Sequence, residues 1–143
     1  MSDQFNYPVK LTKQKEGGYL AQFPDLSEAI TQGENIEDVL NEAMDCLEEA
    51  IAHRMAKKLD IPLPSQRKRC KFVALHTTFA AKTALYVAMR EQKLSNTSLA
   101  KKLVCDEKEV RRLLDPHYSS KLPRIEEALY MLGKKLQIEV VSF

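Results

Sequence analysis

The sequence predicts an α+β protein of two modules. The first module is expected to be β-β-β-α-β, and the second an all-helical domain with a short terminal strand. Three observations lead to this prediction: apolar and polar residues alternate near the N-terminus, one long amphipathic stripe follows, and helical periodicity fills the second half. With 143 residues the chain can hold two small domains, which we place at residues 1–75 and 76–143.

The amino-acid composition is that of a globular protein. Hydrophobic residues make up 44% of the chain and charged residues 29%, a mixture typical of globular proteins. No stretch approaches the roughly 18 apolar residues of a membrane span, and the first 13 residues lack the apolar core of a secretory signal. Cys46, Cys70 and Cys105 form no CxxC pair. We therefore expect a cytoplasmic protein.

Charge is distributed unevenly along the chain. Residues 1–61 carry 6 Lys/Arg and 12 Asp/Glu, a net charge of −6, whereas residues 62–143 carry 16 and 8, a net charge of +8. Phosphate contacts dominate binding to nucleic acid, so the basic half suits such a partner. The acidic half suits a basic protein.

The first strand is expected over residues 7–13, where apolar positions alternate with polar ones. Gly17-Gly18 supplies the positive φ angles of a hairpin turn into residues 19–23, the second strand. Residues 28–31 are expected to form a short third strand, and residues 71–75 the fourth.

A long helix is predicted from Ile36 to Lys58, with Asn35 as its N-cap and Asp38 completing a variant capping box. Its apolar stripe, at helical spacing, consists of Ile36, Leu40, Ala43, Met44, Leu47, Ile51 and Met55.

The second module is predicted to contain four helices and a strand. Thr77 or Thr78 is expected to cap the first helix, which ends near Gln92. Further helices are expected over residues 96–103, 107–114 and about 123–136, followed by a strand over residues 137–141.

Residues 96–114 have the spacing of a helix-turn-helix motif. The motif needs a small residue where the helices cross, here Ala100, and inward apolar residues, here Leu99, Leu103, Val110 and Leu113. Val104 occupies the turn position where glycine is common, so a turn of different shape is also possible. The alternative is an exposed helix of an unrelated bundle.

A DNA-binding role follows if the motif is correct. Asp106 would then cap the recognition helix, whose outward residues Glu107, Lys108, Arg111 and Arg112 would face the major groove. Asn96, Thr97 and Ser98 would begin the first helix of the motif, where backbone N–H groups meet a phosphate.

The whole chain resembles the HicB antitoxin family in its helix-turn-helix subtype. The segments that carry this resemblance are Tyr7-Pro-Val-Lys-Leu-Thr12, Glu16-Gly-Gly-Tyr-Leu20, Phe23-Pro-Asp-Leu26, Ala29-Ile-Thr-Gln-Gly-Glu34, Ile61-Pro-Leu-Pro-Ser65, Ser98-Leu-Ala-Lys-Lys-Leu103 and Leu132-Gly-Lys-Lys-Leu136. Together these segments are specific, although each alone would be weak.

The resemblance implies an antitoxin that neutralises a HicA-like mRNA-cleaving toxin and represses its own operon by binding operator DNA. Because helix-turn-helix proteins usually bind DNA as dimers, we also expect a homodimer or higher homo-oligomer, with the last helix and residues 138–141 as its contact surface. It also implies a partial RNase H-like fold for the N-terminal module. We place the toxin contact on the sheet and loops of that module, at Tyr19, Gln22, Phe23, Asp25, Glu28, Gln32 and Glu34.

Two other functions remain open at this stage. One is a stand-alone transcriptional regulator whose N-terminal module senses a small ligand. The other is a metal-dependent nuclease, but the predicted strands 7–13 and 71–75 lack the carboxylates that hold two metal ions. His53, His76 and His117 show no zinc-ligand spacing. We therefore expect no enzyme activity, no catalytic residues and no cofactor or metal.

Overall fold

The computed structural model describes residues 4–142, which form an α+β protein with a four-stranded antiparallel sheet and five helices. These residues divide into two compact units, and the division falls between Leu75 and His76. We call them the N-terminal unit and the C-terminal unit.

The N-terminal unit has the predicted β-β-β-α-β order, but the third strand extends two residues beyond each end of the predicted range 28–31. Its elements are β1 (Asn6–Lys13), β2 (Tyr19–Phe23), β3 (Leu26–Gly33), α1 (Ile36–Ala56) and β4 (Lys71–Ala74). The strand order in the sheet is β3-β2-β1-β4, and every neighbouring pair is antiparallel.

Glycines shape the hairpin between β1 and β2, as predicted. Gly17 and Gly18 have φ angles of 100° and 79°, and the Gln14 N–H donates to the Gly18 carbonyl oxygen at 3.0 Å. A Cβ atom on Gly18 would lie only 2.7 Å from the carbonyl oxygen of Gly33 on β3. Glycine at this position therefore permits both the turn and the close approach of β3.

Helix α1 begins as predicted. The Asn35 side chain accepts from the Asp38 N–H, and the Asp38 carboxylate accepts from the Glu34 N–H, both at 2.8 Å. The predicted end at Lys58 is wrong by two residues, because Lys58 adopts a φ of 58° and its N–H bonds back to the Met55 carbonyl. A left-handed residue of this kind terminates a helix.

The buried stripe of α1 differs from the predicted one at its first turn. Val39 is fully buried, whereas Ile36 is 43% exposed. The cause is the close contact with β3, since a Cβ on Gly33 would lie 2.6 Å from the Val39 Cα. The remaining buried residues of α1 are Ala43, Leu47, Ile51, Ala52 and Met55.

The proline-containing segment after α1 is extended and attached to the sheet. The Tyr7 hydroxyl donates to the Pro62 carbonyl at 2.7 Å, and the Ser65 N–H donates to Asp25 Oδ2 at 2.9 Å. Burial raises the pKa of Tyr7, so the hydroxyl stays protonated and remains a donor.

The C-terminal unit contains α2 (Thr77–Glu91), α3 (Asn96–Leu103), α4 (Glu107–Leu114) and α5 (Leu122–Met131). The bounds of α3 and α4 match the prediction, and α2 ends as expected. The predicted N-cap at Thr77 or Thr78 is wrong: His76 is the N-cap of α2, and its side chain makes no capping hydrogen bond.

The prediction for the C-terminal end of the chain is wrong in two respects. Helix α5 ends at Met131 rather than Leu136, because Gly133 adopts a φ of 74° and the Lys134 N–H bonds back to the Leu129 carbonyl at 3.0 Å. Residues 137–142 form no strand. Apolar and polar residues do alternate in this segment, but a strand needs a partner that supplies backbone hydrogen bonds.

Candidate functional site

Helices α3 and α4 pack through the inward residues that the sequence predicts. Leu99 and Val110 are fully buried, and Ala100 is 5% exposed. The small side chain of Ala100 lies in the core of the C-terminal unit, and its carbonyl accepts from the Cys105 N–H at 3.0 Å. This core also contains residues of the flanking helices, among them Ala81, Leu85, Ala88, Met89, Ile125, Ala128 and Leu129.

The turn between α3 and α4 uses a left-handed valine. Val104 has φ 54° and ψ 51°, and it is 90% exposed. The β-branched residue therefore adopts the conformation that glycine would favour. The sequence had left open a turn of different shape; the structure keeps the left-handed turn.

Helix α4 presents charged residues on its outer side. The Asp106 side chain accepts from the Glu109 N–H at 2.9 Å, which confirms it as the N-cap. The predicted DNA-facing residues Glu107, Lys108, Arg111 and Arg112 are all exposed. Exposed cations near the end of a short, well-packed helix can reach phosphates or base edges.

Glu107 links α4 to α3. Its Oε1 atom accepts from Arg111 Nη1 at 3.2 Å, and its Oε2 atom accepts from the Thr97 hydroxyl at 3.3 Å. The structure therefore brings together three of the predicted site residues. Arg111 therefore has an intramolecular partner, although an exposed pair of this kind contributes little to stability.

The start of α3 is capped by a residue that the sequence analysis missed. The Ser95 hydroxyl oxygen accepts from the Ser98 N–H at 3.1 Å. Ser98 and Asn96 are half-buried, whereas Thr97 is exposed. The Ser98 amide is thus already used within the protein. The preference of serine for the N-cap position was the signal that could have identified Ser95.

A buried lysine near α4 was also missed. Lys82 on α2 has no exposed surface, and its Nζ atom donates to the carbonyl oxygens of Arg112, Asp115 and Tyr118 and to the Ser120 hydroxyl, at 2.7–2.9 Å. Burial lowers the pKa of Lys82, and the Asp115 carboxylate opposes that effect. The signal was the position of Lys82 three and seven residues before the apolar Leu85 and Met89.

Arg124 holds α4 against α5. Its Nε atom donates to Glu109 Oε1 at 2.8 Å, and its Nη1 atom donates to Glu127. The guanidinium lowers the pKa of Glu109. Burial, together with Glu109, raises the pKa of the neighbouring Cys105 thiol, which therefore suits a packing role rather than a nucleophilic one.

The predicted toxin contacts of the N-terminal unit fall in different environments. Helix α1 packs against one face of the sheet, and the register places Gln22, Gln32 and Ile30 together on the other face. Tyr19 is half-buried at the start of β2, and Glu34 is exposed before α1. Phe23 is 2% exposed and belongs to the core, so it cannot contact a partner directly.

Two predicted acidic contacts have partners inside the unit. Both oxygens of Glu28 accept from Arg54, at 2.6 and 3.0 Å, which lowers the pKa of Glu28. The Asp25 carboxylate accepts from the Ser65 N–H. These side chains stabilise the unit and are less available to an external partner.

The part of the chain that the structure describes holds no group of three or more His, Cys, Asp or Glu side chains that could bind a metal ion. Within the same residues, no helix combines the length and apolar character required to cross a bilayer.

Comparison with known proteins decides the family. A family model described as the HicB-like antitoxin of bacterial toxin–antitoxin systems matches residues 6–84. The chain belongs to the HicB-like antitoxin family. This match covers the N-terminal unit and the beginning of α2, and it confirms the predicted resemblance.

Full-length relatives extend the similarity to the C-terminal unit. The HicB-like chain is 34% identical over 141 residues to Antitoxin HicB 2 of Photorhabdus laumondii, covering 99% of this chain and 100% of that protein. It is 32% identical over 136 residues to Antitoxin HicB of Escherichia coli K12, covering 94% and 99%. These relatives are named as antitoxins and not as enzymes, which agrees with the prediction of a non-enzymatic protein.

Proposed function

We propose that this HicB-like antitoxin binds and neutralises a HicA-like mRNA-cleaving toxin through its N-terminal unit. We also propose that it represses its own operon by binding operator DNA through its C-terminal unit. Family membership supports a toxin as the partner. The observation that carries the DNA-binding half is the packing of α3 against α4 with the cations of α4 exposed.

For DNA binding, α3 and α4 would act as a helix-turn-helix motif with α4 in the major groove. Arg111 can make a bidentate contact to guanine, and Lys108 can contact a phosphate or a guanine. Glu107 repels phosphates, so its role would be to orientate Arg111 or to accept from a cytosine amino group.

The substitution Arg111→Ala tests this half of the proposal. Operator affinity should fall by roughly 1–3 kcal/mol, and discrimination at one base pair should be lost. Fluorescence anisotropy with operator and base-substituted DNA measures both effects. Lys68→Ala is the control, because it removes an exposed cation that lies outside the C-terminal unit. Equal affinity of the Arg111→Ala variant and the intact protein would contradict the assignment of α4.

For toxin binding, the sheet face opposite α1 is the surface that we favour. Strand register places Lys10, Gln22 and Ile30 side by side across three strands, and Ile30 is 51% exposed. Phe72 on β4, also on this face, is 45% exposed. A mixed surface with exposed apolar residues is typical of a protein interface.

Ile30→Glu tests the toxin surface. The full chain, tagged and expressed with the small basic protein encoded beside it, should retain that protein in a pull-down and restore growth. The variant should lose both effects, because it buries a charge in an apolar contact. Val104→Glu, the same kind of change at an exposed residue of the C-terminal unit, should lose neither. Undiminished capture by Ile30→Glu would reject this face, and capture of no small basic protein would reject the antitoxin assignment.

A homodimer is the third part of the proposal. Helix-turn-helix proteins commonly bind two half-sites about 34 Å apart as dimers. Tyr130 at the end of α5 is 75% exposed, and Ile138, Val140 and Val141 are also largely exposed. These residues favour self-association through the C-terminal unit. Sedimentation of the intact protein and of Val140→Glu tests this part: a monomer in both cases would reject it.

A further inference from the structure

Lys82 occupies a binding site made of the protein's own oxygen atoms. Its ammonium group meets three backbone carbonyls and one hydroxyl, all within 2.9 Å. An ammonium has only three N–H donors, so four acceptors saturate it. A buried lysine is costly unless it is paired in this way, and the set of partners shows what the residue holds in place.

Those partners lie at the end of α4 and in the turn after it. The carbonyl of Arg112 is one of the last four of α4, which have no partner within an ideal helix. A positive charge at this end also matches the direction of the helix dipole. The other acceptors, Asp115, Tyr118 and Ser120, are spread over the turn that connects α4 to α5. Lys82 thus fixes both the helix end and the turn.

The turn carries a ring that contacts an exposed cation of α4. The Arg112 guanidinium lies 5.3 Å from the centroid of the Tyr118 ring, and Lys82 Nζ lies 5.7 Å from the same centroid. The Tyr118 carbonyl is one of the acceptors of Lys82. The position of Arg112 therefore depends on Tyr118, and the position of Tyr118 depends on Lys82.

We propose that Lys82 is a positioning residue of the DNA-binding surface: its buried ammonium holds the end of α4 and the Tyr118 turn, and so orientates Arg112 towards DNA. This inference rests on the proposed DNA-binding function. Lys82 itself has no exposed surface and cannot reach a phosphate.

The test is a pair of double-mutant cycles on the full chain, with operator affinity as the readout. Lys82→Met should weaken binding by roughly 5- to 100-fold, the effect of losing one good DNA contact. The double variant Lys82→Met/Arg112→Ala should bind operator with the same affinity as the single variant that binds less tightly, because both changes remove the same contact. Lys82→Met combined with Arg111→Ala should multiply the two effects. Multiplication in the Arg112 cycle would overturn the proposal, since a lysine that only stabilises the fold would give that result.

Two further measurements keep the test decisive. If Lys82→Met does not fold, Tyr118→Leu replaces it in both cycles, because Tyr118 is 43% exposed and its backbone carbonyl is retained. The second measurement is amide hydrogen exchange without DNA. Lys82→Met should accelerate exchange over residues 112–120 and leave exchange in α3 unchanged. If Lys82→Met does not fold, Ser120→Ala is used in its place. If the intact protein binds no operator, the proposed function fails, and the exchange result alone decides whether Lys82 holds the turn.

Discussion

Replacing Val104 by glycine should stabilise the C-terminal unit. Val104 is the left-handed residue between α3 and α4, at φ 54° and ψ 51°. A β-branched side chain in this region brings its Cβ close to the following carbonyl, which costs roughly 1–2 kcal/mol. Glycine has no Cβ and adopts the same angles without that cost.

The size of the effect follows from three contributions. Removal of the steric cost favours the variant by roughly 1–2 kcal/mol. Greater freedom of glycine in the unfolded chain opposes it by roughly 0.5–1 kcal/mol. Loss of buried apolar surface is negligible, because Val104 is 90% exposed. The free energy of unfolding should therefore rise by about 0–1.5 kcal/mol, centred on about 0.75 kcal/mol.

Urea unfolding of the full chain, followed by NMR signals from the C-terminal unit, measures this change. The Leu103 and Val110 methyl groups are suitable reporters because both side chains lie in the core around α3 and α4. Val104→Ala is the matched control: it also removes exposed apolar surface but keeps a Cβ at positive φ. We expect the control to gain less than half as much. A variant with glycine that is no more stable than the alanine control would refute the strain argument.

Two further stability predictions concern the N-terminal unit. Arg54 lowers the pKa of Glu28, so the charged pair stabilises the fold above the ordinary Glu pKa of 4.5 and stops doing so as pH falls through the lower folded-state value. When the pH is lowered below 4.5, the intact protein should therefore lose more stability than the Glu28→Gln variant, as measured by thermal unfolding. The difference should be under about 1 kcal/mol because the pair is partly exposed. Equal losses in the two proteins would contradict a stabilising Glu28–Arg54 pair. Gly33→Ala should destabilise the unit by roughly 1–3 kcal/mol, since its Cβ would overlap the Val39 backbone; an unchanged melting temperature would show that β3 and α1 are not in such close contact.

Local signals explain most of what the sequence predicted correctly. Alternation, paired glycines and side-chain caps act within a few residues, so β1, β2, the hairpin between them and the starts of α1 and α4 could be placed from residues such as Gly18, Asn35 and Asp106. The bounds of α3 and α4 were predictable for the same reason, because Leu99 and Val110 belong to a closely spaced apolar pattern.

Errors arose where the outcome depends on distant residues. The alternation over residues 137–141 predicts a strand, but in residues 4–142 no other strand pairs with it. Val39 is buried because β3 crosses α1 at Gly33, which no local pattern records. Lys82 was overlooked because lysine is usually exposed, and its acceptors lie 30 to 38 residues further along the chain.

The difference in net charge between the two halves is smaller when residues are counted by structural unit. Counted by unit, residues 1–75 carry 10 Lys/Arg and 12 Asp/Glu, and residues 76–143 carry 12 and 8, so the net charges are −2 and +4. The division at residue 61 exaggerated the contrast, because the basic residues 67–71 belong to the N-terminal unit. The acidic character of that unit is concentrated on α1, where six carboxylates and one arginine give −5.

The acidic charge and the exposed apolar surface of the proposed toxin interface lie in different places on the N-terminal unit. The exposed acids of α1 lie on the outer side of that helix, whereas Ile30 and Gln22 lie on the opposite face of the sheet. Long-range attraction chiefly raises the rate of association, while contacts within the interface chiefly determine the rate of dissociation. The two features need not coincide: α1 can attract a basic toxin electrostatically while the open sheet face provides the contact that retains it.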